Sequence, residues 1–249
     1  AFPAEQIRRF RELGSHTPGH PEYAPEHGVE TTTGPLGQGI ANAAGMAVAE
    51  SMLNAEFGDD IVHHHTFALV GDGCLMEGIG HEIVSLAGHL RLGRLIVLYD
   101  ANGMTDDGAV AQAVSEDYRT RFACAGWHVQ ECDGHDQDAV AAAIAAARAD
   151  PRPSMIQCHT TIGFGVPRIQ GQRVAHGGKI TADDCAAARV HLGWPHAPFE
   201  IPPAIVAEWR RAGQRGAQAR QEWQARVEAL APQQRAKFER LMRGELPPG

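Results

Sequence analysis

The feature that most constrains this 249-residue chain is the pattern over residues 66–108, which reads as strand, loop, helix, strand, loop. Phe67-Ala68-Leu69-Val70 is a short apolar run of strand type, stopped abruptly by Gly71-Asp72-Gly73. Residues 74–90 then carry Met76, Ile79, Ile83, Leu86 and Leu90 near helical spacing. A second run, Leu95-Ile96-Val97-Leu98-Tyr99, ends at Asp100-Ala101-Asn102-Gly103. Two parallel strands joined by a helix put both loops at the same sheet edge, where open α/β folds bind ligands.

That geometry suggests a chemistry. Gly71 and Gly73 permit a tight turn and let a bulky anion approach the backbone. A helix start after Gly73 offers free N–H groups, which suit a diphosphate. Asp72 and Asn102 supply hard oxygen ligands, one from each loop, of the kind that hold Mg2+ together with phosphate and water. A Gly-Asp-Gly alone reads as a simple turn. An Asn about thirty residues downstream, one α/β unit on, turns it toward a metal–diphosphate site.

The wider text is more specific. TPGHPEY (17–23), GVETTTGPLGQGIANAAGMAVAE (28–50), GDGCLMEGIGHEIVSLAGHLRLG (71–93) and TTIGFG (160–165) resemble the transketolases, thiamine diphosphate-dependent enzymes. The likeness runs from Phe10 to the tail Gly-Glu-Leu-Pro-Pro, over part of a transketolase only. It implies an α/β fold: an open, mostly parallel sheet with helices on both faces and a helical C-terminal connector. The expected division is a partial thiamine diphosphate/Mg-binding domain over 1–200 and a connector over 201–249. The resemblance further implies that the domain is incomplete at its N-terminus, and that the pyrimidine-binding and third domains lie in a missing part of the chain or on a separate polypeptide.

Site residues follow from the same likeness. Asp72, Asn102 and the backbone carbonyl of Met104 would hold the metal, Mg2+ with Ca2+ or Mn2+ as substitutes. Gly34, Pro35, Leu36, Gly71, Gly73, Glu77, Ile162 and His176 would lie at the cofactor, with Leu36 on its ring system and Ile162 on the thiazolium. His20 and His176 would polarise or deprotonate substrate hydroxyls, and with Arg11 they would contact the sugar phosphate. Arg11 reads equally as a solvated helix arginine. Glu77 reads either as a helix-surface carboxylate sharing a face with His81 or as a glutamate behind the metal, in a network linking paired sites. Around His176 the family shows Gly-Thr-His-x-x-His where this chain has Gly171-Gln172-Arg173-Val174-Ala175-His176, and a Lys where His159 stands.

Elsewhere the pattern predicts an amphipathic helix over 3–13, a long loop over 15–34, and a helix from Thr33-Gly34-Pro35 to about Phe57, capped by Thr33. Beyond the central unit come a helix over 116–125, a strand over 127–131, a helix over 136–148 and a strand over 154–159. A loop then spans 160–183. Helices over 204–243 are anchored by Trp209, Trp223, Phe238 and Leu241. Asp133-Gly134-His135-Asp136 reads as a strand-to-helix turn, and His63-His64-His65 as a structural or surface run, because neighbours on a strand alternate sides.

Composition narrows the rest. A formal charge of −8, with no basic cluster, argues against nucleic acid or a membrane surface. No run approaches the ~20 apolar residues of a membrane span, and five cysteines without a CxxC pair suit a cytoplasmic location. The function implied is reversible transfer of a two-carbon ketol unit between sugar phosphates, as in the pentose phosphate pathway, in a homodimer or heterotetramer. The alternatives are another ketol transferase such as dihydroxyacetone synthase, or a non-catalytic paralogue binding cofactor or a partner. Dinucleotide binding is disfavoured because GxGxxG is absent. In the family, a glutamate of the pyrimidine-binding domain triggers cofactor activation, and nothing here matches it, so the chain alone is expected to be inactive.

Overall fold

The structure is a computed structural model that describes residues 2–246. Four parallel strands, β1 (Thr66–Gly71), β2 (Leu95–Ala101), β3 (His128–Asp133) and β4 (Ser154–His159), form one sheet in the order β1-β2-β4-β3. The helices in chain order are α1 (Ala4–Arg8), α2 (Gln38–Phe57), α3 (Asp72–Met76), α4 (Gly78–His89), α5 (Tyr118–Cys124) and α6 (Gln137–Ala149), then α7 (Val174–Gly177), α8 (Ala182–His191), α9 (Pro203–Gln214), α10 (Gly216–Glu228) and α11 (Pro232–Met242). Two compact units result. One holds the described residues up to Ala47 with His65–Pro195; the other holds Val48–His64 with the described residues from His196 on.

In the first unit, helices cover both faces of the sheet, as the pattern predicts. Ile96 and Leu98 of β2 point to one face, where they pack with Ile156 and Cys158 against Ala143, Ala147 and Ile144 of α6. Asp136 caps α6 by accepting the N–H groups of Asp138 and Ala139 at 3.0 and 3.1 Å. Tyr99 points to the other face and meets Tyr118 of α5 edge-on at 5.5 Å. Trp127, 1% exposed, pairs with Phe122 and donates its indole N–H to the Val84 carbonyl of α4 at 2.8 Å. Gly88 permits that approach: a Cβ there would lie 1.8 Å from the Ala125 carbonyl oxygen. Along β1, Phe67 and Leu69 alternate with buried residues and are exposed.

Several local expectations are corrected. The helix expected over 74–90 begins earlier, at Asp72, and breaks at Glu77, whose extended backbone (φ −70°, ψ 145°) ends α3 and starts α4. Glu77 and His81 therefore do not share a helical face. α1 is five residues long, not eleven, and Arg11 lies beyond it with φ 66°. Without a longer helix the expected apolar stripe does not form, and Ile7, Phe10 and Leu13 are exposed. α2 starts at Gln38, three residues after Pro35, so Thr33 does not cap it. His176 falls on the short α7 rather than in open loop, and α8 starts at Ala182 after its N-cap Thr181, which forms a reciprocal capping box with Asp184.

The second unit has its own core. Ile61, Val62, Val227 and Phe238 are buried, with Phe57 meeting Phe238 edge-on at 5.2 Å. Trp223 closes it by donating its indole N–H to the Ile61 carbonyl at 2.8 Å. Trp209 and Leu241, expected as anchors, are 77% and 40% exposed, because neither falls on the stripe facing that core.

Candidate functional site at the strand ends

Register fixes the layout. Gly71 pairs with Asp100, Asp100 with Cys158, and His159 with both Ala101 and Asp133, so all four strands end together and their loops gather at one edge. A cleft of about 620 Å3 opens there, lined by Gly71, Asp100, Asn102, His135, Thr161 and Ile162 among others. Hydrogen bonds fix its floor. The Asp100 carboxylate accepts from Asn102 Nδ2 at 3.2 Å and from the Thr160 hydroxyl. Asn102 Oδ1 accepts the Met104 N–H at 2.9 Å, and Met104 pairs with Ala109 to make residues 103–109 a small hairpin.

Asp72 is the unusual group. It is 3% exposed at the end of β1, and its Oδ1 accepts from the Tyr99 hydroxyl. Oδ2 is buried with no partner. Burial pushes the Asp72 carboxyl above its ordinary range, against the lowering effect of the Tyr99 hydroxyl and the Gly103 N–H. Burial also raises the Tyr99 phenol, as does the carboxylate beside it. A buried carboxylate with an unsatisfied oxygen is costly by itself and is relieved by a cation. The donor set expected for a metal comprises the Asp72 carboxylate, the Asn102 amide oxygen and the Met104 carbonyl. All are hard oxygens, and they fit a Mg2+-type ion. Among the described residues no group of three His, Cys, Asp or Glu side chains could hold an ion, so any site here draws on amide and backbone oxygen.

The segment before α2 closes over this edge. Leu36 packs on Gly73, where an added Cβ would meet Leu36 Cδ1 at 3.0 Å. Gly37 lies against Ile79 and Glu77 at the helix break, with Cβ approaches of 2.6 and 3.0 Å. His20 sits against Gly34, whose φ is +152°; a Cβ there would be 2.4 Å from His20 Cγ. Arg11 in turn packs on Gly19, with Nε 2.7 Å from such a Cβ. The structure thus joins Arg11, His20, Gly34, Leu36, Gly73 and Glu77 through successive contacts. His176 belongs to a different contact set: its helix is tied to the 103–109 hairpin by Arg173 Nε donating to the Asp106 carbonyl at 2.5 Å. No hydrogen bond or ring contact joins His20 to His176 among the described residues.

Comparison with known proteins decides the family. The model for "Transketolase, thiamine diphosphate binding domain" matches residues 1–247. A transketolase of Cereibacter sphaeroides is 56% identical over 90% of this chain and 34% of its own length. A transketolase 2 of Vibrio parahaemolyticus is 52% identical over 98% of the chain and 38% of its own length. The solved transketolase of Leishmania mexicana superposes with a TM-score of 0.94 at 40% identity, over 99% of this chain and 38% of that one. The chain belongs to the transketolase family. It spans little more than a third of the length of these relatives.

Set beside the transketolase likeness, two side chains escaped the sequence reading. Tyr99 ends an apolar run that looks purely structural, yet its hydroxyl holds Asp72. Register was the signal: a residue one before Asp100 on β2 lies beside the end of β1. The sequence pattern places His135 only in a turn. Its ring stacks on Phe164 at 4.1 Å and its Nε2 accepts the Thr161 N–H at 2.9 Å, which pins the loop that carries Ile162 into the cleft. The Asp-Gly-His-Asp string carries no sign of that long-range bond.

Proposed function

We propose that this chain is the diphosphate-binding part of a transketolase: it holds Mg–thiamine diphosphate for reversible ketol transfer from a ketose phosphate to an aldose phosphate. The observation that carries the proposal is Asp72, a buried carboxylate with one orphaned oxygen at the end of β1, next in register to the loop bearing Asn102. The family match to a thiamine diphosphate binding domain supports the cofactor. Mg2+, the roles of single residues, the dimeric or heterotetrameric state and a cytoplasmic location are proposals. Among the described residues no helix is long and apolar enough to cross a membrane.

In this reading Asp72, Asn102 and the Met104 carbonyl hold the metal, which orients and neutralises the diphosphate. Gly71 and Gly73 leave room for the phosphates. Gly34 and Pro35 carry Leu36 onto the cofactor ring from one side, and Ile162 approaches from the cleft. Bound thiamine diphosphate supplies the carbon nucleophile and the electron sink for C–C cleavage. His20 and His176 hold or move protons at substrate hydroxyls, and Arg11 contributes positive charge toward the sugar phosphate. Glu77, exposed at the α3–α4 break, would face a second polypeptide. In this reading the pyrimidine side of the site is supplied by residues other than these 249, and the 249 alone are inactive.

Titration calorimetry with thiamine diphosphate, with and without Mg2+, tests the reading against Asp72→Ala. Mg2+-dependent binding that the variant loses supports it. Binding that ignores both Mg2+ and the variant sinks it. Ketol transfer by the purified chain alone would overturn the claim of inactivity.

A further inference from the structure

Cys132 of β3 and Cys158 of β4 are register partners on adjacent parallel strands, and their sulfurs lie 3.9 Å apart. All five cysteines are free thiols, and this is the pair in sulfur–sulfur contact among the described residues. The pair sits on the α6 face of the sheet, one residue from the strand ends, and nothing in the proposed ketol transfer uses it. Cys158 is 8% exposed but forms part of the wall of the strand-end cleft, beside Gly134 and Thr160, while Cys132 is half-buried. The cleft therefore gives a small molecule a way in.

The spacing fits capture of one atom by two sulfurs better than a sulfur–sulfur bond. A disulfide requires the sulfurs to close to about 2.05 Å. A single trigonal-pyramidal centre held by two bonds of about 2.3 Å at about 95–100° needs sulfurs about 3.4–3.5 Å apart. From 3.9 Å the first demands that the sulfurs close by nearly 2 Å, and the second by about half an ångström. Burial, with the Cys132 sulfur and the Asp100 carboxylate adding to it, pushes the Cys158 thiol up to about 12. It stays a neutral thiol until a thiophilic centre displaces its proton.

We propose that Cys132 and Cys158 form a two-thiol site for a soft, thiophilic centre, of the class represented by monosubstituted trivalent arsenicals. The chemistry balances without an oxidant. Two S–As bonds form, the As–O bond of an arylarsine oxide breaks, and its oxygen leaves as water with the two thiol protons. The two sulfurs complete the arsenic, which brings its own aryl group.

The test is intact-mass analysis of the folded chain after phenylarsine oxide treatment, with Cys132→Ser, Cys158→Ser and the triple variant Cys74→Ser/Cys124→Ser/Cys185→Ser. We expect one phenylarsine per wild-type chain, one in the triple variant, and none in Cys132→Ser or Cys158→Ser. If Cys158→Ser does not fold, the half-buried Cys132→Ser and the triple variant decide alone. Overturning results are no adduct on folded wild type, an adduct that survives in Cys132→Ser, or one lost from the triple variant. The readout needs no cofactor, so it stands or falls separately from the proposed function.

Discussion

Replacing Asp72 by Asn is the most informative single change, because the structure predicts opposite effects on stability and on ligand response. In the wild type the carboxylate is buried, one oxygen is held by Tyr99, and the other has no partner. An unsatisfied buried acceptor costs about 1–3 kcal/mol, and more when charged. The amide keeps an oxygen for the Tyr99 hydroxyl and removes the charge, while its Nδ2 puts buried N–H donors where the bare oxygen stood, at the lower cost of a neutral group. It also weakens that bond, since hydrogen bonds to charged groups contribute ~1.5–3 kcal/mol against ~0.5–1.5 for neutral pairs. The balance is a gain of about 1 kcal/mol at neutral pH, or about 2–4 °C in Tm for a domain of this size. The pH dependence has a definite sign. Burial holds the folded-state pKa of Asp72 above its unfolded value, so its ionisation opposes folding. That cost is absent in acid and appears as pH rises through the folded-state pKa. The advantage of Asp72→Asn should therefore be present at neutral pH and fade in acid. Ligand reverses the order: a cofactor at 100 times its Kd adds ~2.7 kcal/mol to a protein that binds it, and the variant should gain nothing from Mg–thiamine diphosphate. Thermal melts across pH, with and without Mg–thiamine diphosphate, read all of this. A variant less stable than wild type at neutral pH, or more stable by the same amount in acid, would refute the reasoning.

Two further changes probe what holds the edge in place. Gly34→Ala forces a side chain into a φ of +152° and against the His20 ring, and should cost about 1–3 kcal/mol in chemical denaturation; a loss within about 0.5 kcal/mol would show that the His20 loop yields freely. Asp184→Asn should lower Tm at neutral pH, with the opposite pH signature to Asp72. The paired Arg168 guanidinium, with Thr181, holds the Asp184 carboxyl far below the usual range. Its stabilisation is full above the unfolded-state pKa and is lost as pH falls through the folded-state value, so variant and wild type should converge in strong acid.

The sheet was legible because its signals are local. Apolar runs of strand length, stopped by Gly-Asp-Gly and Asp-Ala-Asn-Gly, mark β1 and β2; β3 is half polar and half-buried, and Asp-Gly-His-Asp marks the edge where it ends. What was not legible are features set by contacts distant in sequence. Residues 74–90 have helical spacing throughout, and nothing in that spacing announces a break. The break at Glu77 coincides with Gly37 seated against Glu77 and Ile79, forty residues away, and with Gly80 so close to the Cys74 carbonyl that a Cβ would lie 2.7 Å from it. α1 failed for the complementary reason: five helical residues cannot sustain themselves, and no buried surface was there to extend them.

The same distinction bears on the site. Asp72 and Asn102 are recognisable as oxygen donors wherever the motif occurs. In the proposed reading, what would draw a cation to Asp72 is a condition the motif does not encode: burial beside Tyr99 and Tyr118 that leaves one carboxylate oxygen without a partner. Tyr118, whose ring meets Tyr99 edge-on, also has an unpartnered buried hydroxyl. A fold that leaves so much polar capacity unused, beside a loop carrying Asn102, carries a local instability that a bound divalent ion and its diphosphate would relieve. The stability gained on binding and the charge buried before it are therefore two readings of one carboxylate.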